Sequence, residues 1–281
     1  MIIDAHHHLW DPAVREYGWL AGDVLAPIRR AYRPGDLRAK AAESGVDGTV
    51  LVQTVSDVDE TVDFLAMADA NRDLILGVVG WVDLTDPTVA DTLAALRDKP
   101  GGDRLVGIRH QAQDEDDPAW LARPDVLRGL AAVAAAGLAY DLLVLPHQLD
   151  AAITAVTEVP QGRYVLDHAA KPPIASGERE PWASRIRELA ARPNLACKLS
   201  GLVTEADWTQ WTVEDVRPYA ETVLTEFGPN RVLFGTDWPV CELASSYPGV
   251  TELARDLCAD LSEADRAAVF GGNAREWYRL T

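Results

Sequence analysis

The chain has 281 residues, of which 48% are hydrophobic and 25% charged, the composition of an ordinary globular protein. Its formal net charge of −18 would repel phosphate backbones, so we expect a protein that does not bind nucleic acid. We also expect a cytoplasmic protein, because there is no charge-free apolar window of about 18 residues, no basic leader before a long apolar stretch, and no CxxC pair among three widely spaced cysteines.

Short β-rich segments alternate along the chain with longer segments of helical period. The centres of the short segments are apolar at consecutive positions, a pattern typical of parallel strands that are covered on both faces. In chain order the eight predicted strands are residues 2–9, 48–55, 75–84, 105–112, 138–145, 163–170, 194–201 and 231–239.

The intervening segments are predicted to be helices, and three of them end at a glycine: Gly45, Gly137 and Gly228. Eight strands alternating with helices predict one α/β domain over residues 1–281, a (β/α)₈ barrel of the TIM type. A doubly wound open sheet is the alternative, but no GxGxxG follows the first strand. Residues 10–34, rich in Trp, Pro and Gly, are predicted to form a long loop over the barrel mouth.

Chemically active side chains stand at the predicted C-terminal ends of the strands. These ends form the active face of such a barrel, and buried charges are costly there unless they are paired or functional. In strand order the residues are His6, His7, His8, Gln53, Trp81, Asp83, Arg109, His110, Gln111, Asp141, Asp167, His168, Lys171, Lys198, Ser200, Asp237 and Trp238. The sequence therefore predicts an active site at this face.

Strand geometry separates the three consecutive histidines. Residues i and i+2 of a strand point to the same side, so His6 and His8 are predicted to face one way and His7 the other. With His168 and Asp237 they would offer three nitrogen ligands and one carboxylate, a set that suits one Zn²⁺ ion. Such an ion would acidify a bound water and polarise a carbonyl. In the alternative, Asp237 acts as a general base on water directly, without metal.

Four stretches, "DAHHHLW", "VGIRHQ", "VLDHAAKPP" and "LFGTDWPV", resemble in this order the amidohydrolase superfamily (amidohydrolase 2 type). More closely, they resemble its branch of sugar lactonases of the L-fuconolactonase and L-rhamnonolactonase type. Pyrone-dicarboxylate lactonase is a more distant relative. The resemblance runs from the first strand to the last and implies a metal-dependent-hydrolase-like barrel.

The resemblance also implies roles for particular residues. His6 and His8 match the first-strand HxH, His168 a later-strand histidine, Asp237 the aspartate that activates water, and Arg109 an arginine that binds substrate oxygens. Two-metal members carry a bridging lysine where this chain has Arg109 and His110, and many carry histidine where it has Asp141. The resemblance therefore implies one metal ion at most, and the branch includes members that work without metal.

The resulting hypothesis is a hydrolase of carbohydrate metabolism that opens the ester ring of a sugar-acid lactone, a small-molecule substrate. In addition to the residues above, His110, Lys171 and Lys198 are predicted to contact the substrate. Trp10, Trp81 and Trp238 are predicted to offer flat faces to a sugar ring. Each of these six residues also has a purely structural interpretation. The alternatives are a mononuclear-zinc amidohydrolase or decarboxylase acting on a small carboxylate or amide, and a non-catalytic sugar-binding barrel. The exact lactone, metal occupancy and oligomeric state stay open.

Overall fold

Each predicted apolar segment forms a strand in the computed structural model, which describes residues 1–281. Strands that are consecutive in the chain pair in parallel throughout. Asp237 N–H donates to the His6 carbonyl at 2.8 Å and His8 N–H to the Trp238 carbonyl at 2.7 Å, which brings the two ends of the sheet together. The predicted (β/α)₈ barrel is confirmed. Its strands are β1 (Ile3–His7), β2 (Gly48–Val52), β3 (Ile75–Gly80), β4 (Leu105–His110), β5 (Ala139–Leu142), β6 (Arg163–Leu166), β7 (Leu195–Leu199) and β8 (Val232–Phe234).

Helices cover the outside of the barrel between the strands. Gly45 and Gly137 follow two of them with φ of 68° and 73°, the left-handed conformation in which glycine ends a helix, as predicted. None of the helices combines the length and the apolar character that a membrane span requires. They are α1 (Pro34–Ser44), α2 (Val58–Ala70), α3 (Val89–Arg97), α4 (Pro124–Ala135), α5 (Leu149–Glu158), α6 (Trp182–Ala190), α7 (Val213–Phe227), α8 (Tyr247–Leu257), α9 (Glu263–Ala267) and α10 (Asn273–Trp277).

The apolar core has two parts. The larger part lies between the strands and the surrounding helices. The smaller part fills the barrel interior with small and β-branched side chains such as Val50, Val79 and Val165, and it includes Trp277 and Tyr278 from the C-terminal segment. Because apolar packing fills the interior below them, polar side chains inside the barrel are confined to the C-terminal ends of the strands.

The segment of residues 10–34 lies over the barrel mouth, as predicted. It contains two 3₁₀ turns, Gly18–Ala21 and Asp23–Ile28. Trp19 and Leu25 from these turns line the cavity at the C-terminal ends of the strands. An antiparallel backbone bridge between Trp10 and Tyr32 holds the two ends of the segment together.

Candidate active site

An irregularity in β1 sets the direction of the three histidines. Between Asp4 and His7 the register against β2 shifts by one residue, since Asp4 pairs with Thr49 but His7 with Leu51. Such a bulge re-aims side chains. The Nε2 atoms of His6 and His8 lie 3.1 Å apart, whereas neither ring nitrogen of the buried His7 has a hydrogen-bond partner. The predicted separation of His6 and His8 from His7 is thus observed.

Asp237 lies at the centre of the histidine cluster. Its Oδ1 atom is 3.7 Å from Nε2 of His6, 3.4 Å from Nε2 of His8 and 3.8 Å from Nε2 of His168. The residue follows the end of β8 with φ of 56°, a left-handed conformation that aspartate tolerates better than most residues. The structure therefore brings together all four residues that were predicted to be catalytic.

A left-handed segment after β6 places His168. Four consecutive residues, from His168 to Lys171, have φ between 50° and 58°, a strained conformation for residues other than glycine. The indole N–H of Trp182 donates to the Ala169 carbonyl at 2.7 Å and fastens the segment from outside. Nδ1 of His168 lies 2.9 Å from Oγ of Ser200. This segment turns the side chains of both His168 and Lys171 toward the cavity.

Gly201 has no side chain, and its absence leaves room for His168 and Asp237. Its φ is 63°, and a Cβ atom at this position would lie 2.5 Å from Nδ1 of His168 and 3.2 Å from Oδ2 of Asp237. Any larger residue would displace the imidazole. The conformation and the close approach both require glycine here.

Lys198 lies beneath His6 in a fully buried ionic network. Its Nζ atom is 2.6 Å from Oδ2 of Asp141, 2.8 Å from Oδ1 of Asp167 and 3.0 Å from Nδ1 of His6. The hydroxyl of Tyr278 donates to Asp141 at 2.8 Å. Lys198 does not line the cavity, so the structure places it as a support of His6 and not at a position where it could contact a substrate.

Arg109 joins this network to the cavity wall. Its Nη1 donates to Oδ2 of Asp167 at 3.0 Å and lies 3.4 Å from Nε2 of His6. Its Nε donates to Oε1 of Gln53 at 2.9 Å. Two buried carboxylates, Asp141 and Asp167, thus face two buried cations, Lys198 and Arg109. The charges balance, which is the condition for keeping them out of water.

The cavity above the cluster has a volume of about 250 Å³. It is somewhat smaller than typical small-molecule sites of about 300–1,000 Å³, a size that suits a single sugar ring. Polar side chains outnumber apolar ones in its lining. Those that line it are His8, Trp19, Leu25, Thr54, Arg109, Gln111, Gln113, Asp114, Leu143, His168, Lys171, Thr204, Glu205, Trp208, Asp237, Val240 and Leu243.

Four more residues with predicted substrate contacts lie outside this lining. Trp10 and Trp238 are buried, and each packs edge-to-face against Tyr32. Trp81 donates to Nδ1 of His110 at 3.0 Å, and His110 stacks on Trp120 beside the cavity. Aromatic packing and internal hydrogen bonds therefore occupy these four side chains.

The sequence interpretation missed several residues of the site. Trp19, Gln113, Glu205 and Trp208 line the cavity from loops, and no strand-end pattern points to them. Asp4 was also missed, although it stands in the "DAHHH" stretch. It accepts from the backbone N–H and the hydroxyl of Thr236, at 2.9 and 2.6 Å, and so holds the chain next to Asp237.

The ionisation states follow from burial and neighbouring charges. Burial lowers the pKa of His168 to about 4 and also lowers the pKa of His8, so both imidazoles are neutral at pH 7. Burial opposes ionisation of Asp237, but the positive charges that the neighbouring His168 and His8 carry once protonated outweigh it and hold the pKa of Asp237 below its usual value. The cluster therefore combines an anionic carboxylate with uncharged imidazoles, a state in which the carboxylate can accept a proton.

His6, His8 and Asp237 fit one divalent metal ion. Their facing atoms are 3.1, 3.4 and 3.7 Å apart, and ligands of a tetrahedral ion at about 2.1 Å lie roughly 3.4 Å from each other. Nδ1 of His8 lies 2.8 Å from the Val52 carbonyl, which can only accept, so Nε2 keeps its lone pair for the ion. His168 belongs to a separate group with His6 and Asp167, so the four predicted ligands do not form one cluster.

Comparisons with known proteins identify relatives over the full chain. A model of the amidohydrolase family matches residues 3–280. An L-fucono-1,5-lactonase of Burkholderia ambifaria is 40% identical over 99% of this chain and 95% of that protein. Another L-fucono-1,5-lactonase, of Burkholderia multivorans, is 37% identical over 99% of this chain and 96% of that protein. The crystal structure of a Burkholderia multivorans amidohydrolase with bound zinc is 37% identical, covers the whole of both chains and superposes with a TM-score of 0.92.

Proposed function

This chain belongs to the amidohydrolase family, and from that premise we propose that it hydrolyses the ring ester of a sugar-acid lactone. The observation that carries the proposal is the ionised Asp237, whose Oδ1 lies within 3.8 Å of three imidazole nitrogens at the cavity wall. Two L-fucono-1,5-lactonases that align with almost the entire chain support the substrate class. L-fucono-1,5-lactone is therefore the first substrate to test.

Asp237 is the general base in this proposal. Its carboxylate takes a proton from a water molecule, and the water oxygen attacks the lactone carbonyl carbon. The bond between that carbon and the ring oxygen then breaks, and Asp237 returns the proton to the ring oxygen. The product is the open-chain hydroxy acid, so water is the only co-reactant.

The histidines and two cations assist this reaction. The neutral His8 and His168 hold the attacking water beside Asp237, and Lys198 together with Asp167 orients His6 from below. Arg109 and Lys171 both line the cavity. Their positive charges stabilise the negative charge that develops on the carbonyl oxygen, and this type of stabilisation is worth the most in a site that excludes water.

Zinc is the metal that the imidazole and carboxylate donor set favours, and His6, His8 and Asp237 would hold it. When bound, it would lower the pKa of a water molecule and polarise the lactone carbonyl. A cytoplasmic location is also part of the proposal, supported by three cysteines that are buried and unpaired.

A panel of lactones tests the proposed function. Purified protein is mixed with L-fucono-1,5-lactone, other L- and D-aldonolactones and the unsubstituted δ-valerolactone, and acid release is followed with a pH indicator. Parallel samples are treated with a chelator, and bound metal is measured by mass spectrometry. We expect at least one aldonolactone to be hydrolysed far faster than in buffer. Buffer rates for every lactone, in both the metal-replete and the chelated protein, would contradict the proposal.

The pH dependence of the reaction is expected to reflect the low pKa values at the site. Asp237 must be ionised and His168 neutral, and burial lowers the pKa of His168 to about 4. We therefore expect the protonation of His168 to lower kcat/KM only as the pH approaches 4, where the protonated imidazole adds positive charge beside the carboxylate. A histidine base with an ordinary pKa of about 6.5 would lose activity already near pH 6. Initial rates in buffers of constant ionic strength distinguish the two profiles.

A further inference from the structure

Two buried polar atoms beside the cavity have no hydrogen-bond partner in the fold. They are the indole Nε1 of Trp19 and the carboxamide Oε1 of Gln113, and both side chains line the cavity. A buried donor or acceptor that finds no partner destabilises a protein, so such atoms are uncommon and call for an explanation. Other polar groups of the same wall are satisfied internally, among them Arg109, which donates to Gln53 and Asp167.

The fold holds the Trp19 ring in place without using its N–H group. The ring packs edge-to-face on Trp10 with centroids 5.2 Å apart. Around it, the guanidinium of Arg29 donates to the carbonyls of Leu20, Ala21 and Gly22 at 2.7–2.9 Å and fixes the course of the loop. The position of Trp19 is therefore determined by packing and by backbone bonds, and the fold does not use its N–H group.

The Gln113 side chain is also not needed to hold its loop. The backbone N–H of Gln113 donates to the Leu143 carbonyl at 3.1 Å, and Nε2 of Gln148 donates to the Ala112 carbonyl at 2.7 Å. These bonds fix the turn after β4. The terminal torsion of a glutamine has a broad energy minimum, so its oxygen can turn toward a ligand in the cavity.

We propose that Trp19 and Gln113 are specificity residues that recognise hydroxyl groups of the substrate. The Trp19 N–H donates to a hydroxyl oxygen, and the Gln113 carbonyl oxygen accepts a hydroxyl proton. This assignment rests on the proposed lactonase function and narrows its substrate class to polyhydroxylated lactones. A site with polar groups reserved for a ligand discriminates strongly against an analogue that lacks the matching hydroxyl, because those groups then stay unpaired.

The test compares two lactones in two variants. Trp19→Phe removes the donor but keeps an aromatic ring, and Gln113→Leu removes the acceptor at similar size. For each variant we expect kcat/KM for L-fucono-1,5-lactone to fall about 10- to 100-fold, while kcat/KM for δ-valerolactone, which has no hydroxyl, changes less than about threefold. An unchanged thermal midpoint and circular dichroism spectrum establish that each variant is folded.

Two residues outside the cavity provide a matched control for each substitution. The indole N–H of Trp211 donates to the Ala244 carbonyl at 2.8 Å, and Trp211 does not line the cavity. Gln161 is exposed and also lies outside the cavity lining. Trp211→Phe and Gln161→Leu are therefore expected to leave the ratio of the two kcat/KM values unchanged.

The possible outcomes separate this assignment from the proposed function. Equal losses on both lactones in the Trp19 and Gln113 variants, no loss on either, or an equal shift of the ratio in the control variants would overturn the assignment. A wild-type protein that hydrolyses δ-valerolactone but not L-fucono-1,5-lactone would also overturn it, while lactonase activity stands. A wild-type protein that hydrolyses neither of them nor any aldonolactone of the panel overturns the proposed function, and this assignment with it.

Discussion

Replacement of Asp237 by asparagine is expected to lower kcat/KM for lactone hydrolysis by about 10²- to 10⁴-fold, the usual contribution of a general base. The amide has the size of the carboxylate but cannot accept the proton from water. Asparagine also tolerates the left-handed backbone at this position, where φ is 56°. The loss would therefore come from the missing carboxylate, which acts as the base and would also hold a bound metal ion, and not from a rearranged loop. Steady-state kinetics at pH 7 on the best lactone of the panel measure it.

Asp83→Asn is a suitable control for this substitution. Asp83 follows β3 and accepts from the backbone N–H of Thr85 at 2.8 Å, and it does not line the cavity. We expect its replacement to change kcat/KM by less than about threefold, since an exposed surface substitution seldom affects a distant site. If Asp237→Asn keeps the wild-type kcat/KM, the proposed base is wrong.

Lys198→Met is expected to reduce the free energy of unfolding by about 3–5 kcal/mol, the usual effect of removing one partner from a buried ionic network. The substitution leaves Asp141 and Asp167 in the barrel interior with Arg109 as the one remaining cation within bonding distance. Methionine has a similar volume, so the loss is electrostatic and not due to a cavity. Urea unfolding at pH 7, monitored by tryptophan fluorescence, gives the value.

Arg38→Met provides the comparison, because it removes a cation from an exposed ion pair with Asp73 at 2.6 Å. Exposed pairs contribute about 0–1 kcal/mol, so little change in the free energy of unfolding is expected.

In the double variant Lys198→Met/Asp141→Asn one uncompensated negative charge is removed, and we expect part of the lost free energy of unfolding to return. A Lys198→Met protein as stable as the Arg38→Met protein would contradict the paired-charge account of the barrel interior.

The repeating pattern along the chain was sufficient to predict the barrel. All eight strands begin within one residue of the predicted positions, and all end two to five residues earlier. At several strands the early end has the same cause: polar residues such as Gln53, Asp167 and Asp237 leave the sheet to form the loops of the candidate active face. β5 differs, because the apolar Leu143 follows its last residue. Local periodicity determines where a parallel strand starts, since its apolar run is buried on both sides.

That the proposed catalytic residues lie together was predictable for the same reason. His6, His8, His168 and Asp237 stand at or just beyond strand ends, and the fold alone brings such ends together. Alternation along a strand predicts that His6 and His8 share a side. It does not predict that this side is the barrel interior, because without the bulge after Asp4 they would point the same way as Asp4, toward the outer layer.

The sequence by itself thus determined the architecture and the residues that meet at its active face, because both follow from short-range patterns. Only the tertiary structure decided which side chains pair with one another and which reach the cavity. Asp141 in β5 and Asp167 directly after β6 neutralise Lys198 under His6. Trp19 and Trp208 reach the cavity while Trp10 and Trp238 are packed away. These outcomes depend on charge pairing and loop packing between residues far apart in the chain, and no local pattern encodes such contacts.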